Sequence, residues 1–290
     1  RNEDWSQPGG SPDNAPGHLD IAGGLSTAWS ADAGTGSSKT SRLTASPIVY
    51  QGKVFAMDVE GQLAAFSTSG SRVWRISLVP ENERGKAGFG GGLAADGGRL
   101  YATTGFGTVV AINPNNGEVF WTRKIGTPIR TAPTAAGGDV YFVTSESTMY
   151  CLSGDDGNER WTHRGIPESA TLLSNVSPAV GRNVVVAPFP SGDVVGYDRQ
   201  SGKPAFAESL AMKRTGSSLT ALSDPARPVL DGGLLFAVSH AGRMIATSAD
   251  NGARIWTKSI RSTQMPWVSG DNVFVVDVTG KLIALTRREG

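Results

Sequence analysis

The groups in this sequence able to bind a metal, attack a substrate or move a proton are few and scattered. His18, His163 and His240 stand apart, with none of the HExxH spacing that puts two imidazoles on one helix face around a zinc ion. Cys151 is the single cysteine. That excludes an intrachain disulfide and a zinc site built on several thiolates, and within its apolar strand it reads as a small buried hydrophobe. Asp155-Asp156-Gly157 and Asp250-Asn251-Gly252 look like the start of calcium loops but lack the later ligands and the closing glutamate, so they read as turns. Gly34 to Thr40 has Ala33 and Ser38 where a phosphate-binding loop requires glycine. Gly88 to Gly92 reads as close backbone approach, and Asn175-Val176-Ser177 as a chance match to a glycosylation acceptor. No catalytic residue, metal or cofactor is expected.

Composition narrows the class. The chain has 290 residues, 39% of them hydrophobic and 18% charged, the latter below the usual ~25%. Lys and Arg (27) nearly balance Asp and Glu (26), for a net charge of +1. A nucleic-acid reader needs a clustered basic excess, so none is expected as a partner. Apolar runs such as Val184 to Pro188 fall far short of the ~18 residues of a helical membrane span. The sequence opens with no initiator Met, secretory leader or lipid-acceptor cysteine, which reads as a mature or trimmed form.

What must position any functional group is a repeat. Trp29, Trp74, Trp121, Trp161, Phe206 and Trp256 are separated by 45, 47, 40, 45 and 50 residues, the range of a four-stranded propeller blade. Inside each unit the ruler is tighter. Pro47, Pro133, Pro178, Pro228 and Pro266 open five units, with Leu93 as the exception. Five residues later stand Gly52, Gly98, Gly138, Asn183, Gly233 and Asp271, types that tolerate the positive φ of tight hairpins. Nine further come Gly61, Gly107, Ser147, Gly192, Gly242 and Gly280, then Gly70, Gly117, Gly157, Gly202, Gly252 and Gly290. The aromatic follows four later.

Between marks, Lys53 to Val59, Arg99 to Thr104, Asp139 to Thr144, Val184 to Pro188 and Leu234 to Ser239 are rich in β-branched and aromatic residues. Each is followed by a second apolar run, such as Gln62 to Phe66 or Thr108 to Ile112. The fold class expected is all-β: a β-propeller of four-stranded antiparallel blades, with the six aromatics packing between blades. Residues 1–25 read as an N-terminal extension and 26–290 as a propeller truncated at its C-terminus. Six units are visible. Trp29 could complete the last of them and close a ring at six, but Gly290 already occupies that unit's own turn, which favours a piece of a larger ring.

The turns Asn113 to Trp121 (NPNNGEVFW) and Ser248 to Trp256 (SADNGARIW) resemble the quinoprotein-type propeller repeat. With Leu172 to Val186, Leu222 to Met244 and Met265 to Leu285, the chain over residues 20–290 resembles the BamB family, propeller lipoproteins of the outer-membrane β-barrel assembly (BAM) machinery. The resemblance implies eight blades and a non-catalytic scaffold. It implies a lipid anchor at the periplasmic face of the outer membrane, binding to the POTRA domains of BamA, and unfolded outer-membrane proteins as clients. Carried to this sequence, the partner contacts fall on Ala170, Leu172 and Leu173, and on Leu222 and Asp224. Leu173 stands where the family has an arginine, and the family's second acidic residue is missing after Asp224.

The loops alone point the same way. Connections from an outer strand to the next inner strand share one propeller face, and four are long: about Pro80 to Gly92, Arg164 to Asn175, Glu208 to Ala226 and Lys258 to Gln264. Two adjacent ones carry apolar clusters, Ala170 to Leu173 and Leu219 to Leu222, which suit a partner patch or a satellite core under the loop. Two rival readings share the repeat. A quinone-dependent dehydrogenase of similar fold carries a disulfide of adjacent cysteines against its cofactor, which one cysteine cannot form. A ligand-sensing propeller needs groups converging on the channel, for which only Trp267 is a candidate.

Overall fold

The structure is a computed structural model, and it describes residues 3–20, 23–39, 41–85, 88–165, 176–211 and 225–290. Among them are 23 strands and no α-helix. They form five four-stranded antiparallel sheets and one three-stranded sheet, each a meander in chain order. We number these blades 1 (48–77), 2 (91–124), 3 (134–164), 4 (179–209), 5 (229–258) and 6 (267–286). Hydrophobic clusters between successive sheets form the core, as in the layer of Phe55, Leu63 and Leu78 against Leu93, Leu100 and Ile112.

The ruler maps onto this architecture. Five inner strands start one residue after Pro47, Pro133, Pro178, Pro228 and Pro266, where proline has no N–H to extend the ladder. Blade 2, with Leu93 at that mark, instead has a six-residue inner strand, Gly91–Asp96. The strand readings hold to within two residues; Arg99–Thr104, Thr108–Ile112 and Val184–Pro188 match at both ends.

At the first turn mark Gly52, Gly98, Gly138 and Gly233 have positive φ, but Asn183 and Asp271 do not; in blade 6 the preceding Gly270 takes that conformation instead. At the next mark all six residues are left-handed, including Ser147 with φ 58.

Across each of blades 1, 2, 3 and 5 the register places an aromatic, a small residue and the repeat tryptophan side by side: Phe55–Ala65–Trp74, Tyr101–Ala111–Trp121, Tyr141–Cys151–Trp161 and Phe236–Ala246–Trp256. The ring centroids lie 5.8–6.1 Å apart over the small residue. Blade 4 has Val186–Gly196–Phe206 instead. A bulge follows the small residue in all five of these blades.

The same aromatics lock one blade to the next. Trp74 Nε1 donates to Pro114 O (3.1 Å), Trp121 to Gly154 O (3.0 Å), Trp161 to Arg199 O (3.2 Å) and Trp256 to Arg287 O (2.9 Å). Each acceptor lies three residues before the next unit's turn glycine, and the ring lies on that glycine. Trp29 locks onto blade 1 in a similar way, bonding Thr68 O (2.8 Å), two residues before Gly70, and covering that glycine.

The alternative of closing a ring at six through Trp29 is not realised. Trp29 lies outside any strand, and it does not pair with blade 6, which has three strands only. Six-blade closure by Trp29 is therefore not what the chain does. Blade 6 instead leaves one face uncovered: Leu282 is 65% exposed, whereas its counterparts Leu63, Val109, Met149, Val194 and Met244 are fully buried.

Candidate partner-binding face

The face that could bind a partner is set by where the outer strands deliver the chain. In blades 1 to 4 the residue leaving the outer strand donates to the left-handed residue of the turn between the second and third strands. The bonds are Leu78 N to Gly61 O (2.9 Å), Ile125 N to Gly107 O (2.8 Å), Gly165 N to Ser147 O (2.7 Å) and Leu210 N to Gly192 O (2.7 Å). These bonds fix the start of four of the five connecting loops on one face, opposite the hairpins at Gly52, Gly98, Gly138 and Gly233.

Two of those loops are the ones read as partner-binding. The first leaves blade 3 at Gly165 and re-enters blade 4 at Ser177 and Pro178, both beside its inner strand. The second leaves blade 4 at Leu210 and re-enters blade 5 through Pro225, which bridges Ser239, and Ala226, whose N–H donates to Val238 O (2.8 Å). The expected contact residues Ala170, Leu172, Leu173, Leu222 and Asp224 lie outside the described residues. What the structure brings together is the pair of loop feet, on adjacent blades and the same face.

Arg227 stands beside the second foot, partly buried, with Nη1 3.9 Å from Met265 Sδ. Burial pulls its pKa down to about 10, which leaves it protonated at neutral pH. Arg130, in the connection from blade 2 to blade 3, lies over the ring of Phe89, in the glycine-rich connection before blade 2, at 4.7 Å. Between blades 1 and 2 a cleft of about 340 Å³ is lined by Leu78, Val79, Pro80, Phe106, Val119 and Lys124. No motif in the sequence pointed to that cleft, because its walls come from two repeats.

The groups considered for chemistry have structural jobs. Cys151 is fully buried at the small-residue position held elsewhere by Ala65, Ala111 and Ala246, and burial pushes its thiol up to about 12. Asp156 and Asn251 accept from the N–H two residues on, at 3.1 and 2.9 Å, as Asx turns do, and Asp155 pairs with Arg99 at 2.8 Å. His163 stacks on Tyr197 at 5.3 Å. The Gly34 segment caps buried Asp58, whose Oδ2 accepts from Thr35 N at 2.9 Å. Among the described residues no three His, Cys, Asp or Glu side chains are grouped to hold a metal. Among them, too, no helix is long and apolar enough to cross a membrane.

The family model described as outer membrane protein assembly factor BamB matches residues 18–88 and 59–290, nearly the whole of this propeller. The chain belongs to the BamB family. Relatives bearing that name include those of Shewanella oneidensis, 28% identical over 90% of this chain and 68% of its own length, and Escherichia coli K12, 25% identical over 90% and 67%. That of Nitrosomonas eutropha is 23% identical over 79% of this chain but only 54% of its own length. The chain thus spans roughly half to two thirds of the BamB relatives it matches.

Among solved structures, BamB from Moraxella catarrhalis superposes with a TM-score of 0.68 at 16% identity, over 85% of this chain and 70% of that one. A quinohemoprotein alcohol dehydrogenase from Comamonas testosteroni reaches 0.66 at 16% identity, over 98% and 52%. At such identities the likeness speaks for the fold alone, and the BamB assignment rests on the family match.

Proposed function

We propose that this chain is a non-catalytic scaffold of the BAM machinery at the periplasmic face of the outer membrane, where it binds the POTRA domains of BamA and assists assembly of outer-membrane proteins. The observation that carries the reading is the convergence of two loop feet, at Gly165–Ser177 and Leu210–Pro225, on one face of a BamB-family propeller. The loops between them contribute Ala170, Leu172, Leu173, Leu222 and Asp224, four apolar residues and one carboxylate in the sequence. That chemistry suits a partner surface pairing apolar side chains with a cation. Attachment to the membrane in this reading is through an N-terminal lipid rather than through the propeller itself.

The test is calorimetric titration of the chain with the POTRA region of BamA, repeated with Leu173→Asp and Asp224→Arg. Saturable binding that both variants lose while keeping the wild-type melting midpoint supports the reading. Binding that survives both changes would sink the assignment of these loops.

A further inference from the structure

In a propeller the inner strand of every blade turns one edge toward the central channel, and an unpaired N–H there is costly if it is buried. In this chain a second element fills those edges. The residue two before the inner hairpin turn is Val49, Ala95, Ala135, Val180 and Leu230 in blades 1 to 5. Every one of these amides donates to the N-terminal segment: to Trp5 O (2.9 Å), Ser6 O (2.8 Å), Gln7 Oε1 (3.2 Å), Pro12 O (2.7 Å) and Asp13 O (2.9 Å), in that order. Trp5 N returns a bond to Val49 O at 2.7 Å. Beyond them His18 Nδ1 lies 3.3 Å from Ser269 Oγ of blade 6.

Two buried side-chain amides set the register. Gln7, fully buried, donates through Nε2 to Ala95 O (3.3 Å) and Ala135 O (2.8 Å), so it ties blade 2 to blade 3. Asn14 is 1% exposed and donates to Pro228 O at 2.9 Å in front of blade 5. The segment therefore visits the blades in their own order and bonds mainly to main chain, as an added strand does.

We propose that residues 5–14 are a peptide bound in cis that clamps blades 1 to 5 into one cooperative unit and seals the hairpin-side mouth of the channel. Packed repeats couple only neighbours. The clamp adds what the sheets do not, a direct link from blade 1 to blade 5. This inference stands apart from the BamA reading, since it concerns the opposite face and needs no partner.

The experiment is amide hydrogen exchange on the full chain and on Gln7→Ala. If the segment is held as a unit, losing Gln7 releases it whole. Exchange at Val49, Ala95, Ala135, Val180 and Leu230 then accelerates together by at least tenfold, while Phe142 inside blade 3 is unchanged. Asn14→Ala, at the other end, releases the same five amides and decides the matter should Gln7→Ala not fold. Acceleration confined to the amides nearest the substitution, acceleration of Phe142 to the same degree, or none at all would overturn the clamp.

Discussion

Trp121 and Gly157 share one volume: a β-carbon built on residue 157 would come within 2.8 Å of the indole ring. The tryptophan belongs to blade 2 and the glycine to blade 3, so the fit is a seam between repeats. Five further seams are built alike, down to Trp256 on Gly290. Removing the ring by Trp121→Ala is expected to cost about 3–5 kcal/mol, as large aromatic truncations do. Trp121→Phe keeps most of the packing and loses the bond to Gly154, for about 1 kcal/mol. Urea denaturation midpoints in that order check the seam, and a midpoint unmoved by Trp121→Ala would refute it.

The glycine side of the seam is testable against an internal control. Gly157 and Gly138 both have positive φ, at 71° and 84°, but a β-carbon at residue 138 meets nothing within 4 Å. Gly138→Ala is expected to cost only the left-handed penalty of roughly 1–2 kcal/mol. Gly157→Ala must also displace the Trp121 ring, so its thermal midpoint should fall clearly further. Equal losses would mean the ring moves aside freely.

Ser147 is the exception with a use. It is fully buried, holds φ 58 where five repeats have glycine, and its hydroxyl has no hydrogen-bond partner. Ser147→Gly removes the left-handed strain and adds some unfolded-chain entropy, for a net gain of about 0.5–1 kcal/mol. A raised denaturation midpoint with unchanged slope is the expected outcome. A lowered one would show that the hydroxyl supports the loop leaving at Gly165.

Stability should fall in alkali. Burial raises Tyr101 and Tyr197 from 10.0 to about 12 and Cys151 from 9.0 to about 12, and it raises Tyr141 as well. The folded chain holds these protons more tightly than the unfolded one, so their contribution is whole below pH 9 and is lost between about pH 9 and 12. Melting temperatures across that window give the check. Thiol alkylation at pH 8 should be slow in the native chain and fast in urea.

The repeat was legible because its marks are backbone requirements: a residue without an N–H, a left-handed turn, a ring over a glycine. Each can be met by only a few residue types, so Pro47, Gly61 and Trp74 show themselves in the sequence. Asn183 and Asp271 misled because residues that tolerate positive φ do not need it. Gln7 and Asn14 were invisible for a different reason. Their partners are main-chain groups 88 to 214 residues away, and a carbonyl has no signature in sequence. The arginines that clasp neighbouring blades left a faint signal. Arg199 reaches Ala136 O at 2.7 Å and Arg287 reaches Asp231 O at 2.9 Å, and both stand three residues before a turn glycine.

Every aromatic points forward, onto the unit that follows it in the chain. A stretch of DNA running from one opening proline to the next aromatic therefore encodes half of each of two seams, a glycine to receive the preceding ring and a ring to give to the next glycine. Duplicated in tandem, such a stretch joins its neighbours on either side without a single compensating change, and its deletion heals as cleanly. Propellers built this way can gain or lose blades during evolution while every join keeps the same chemistry.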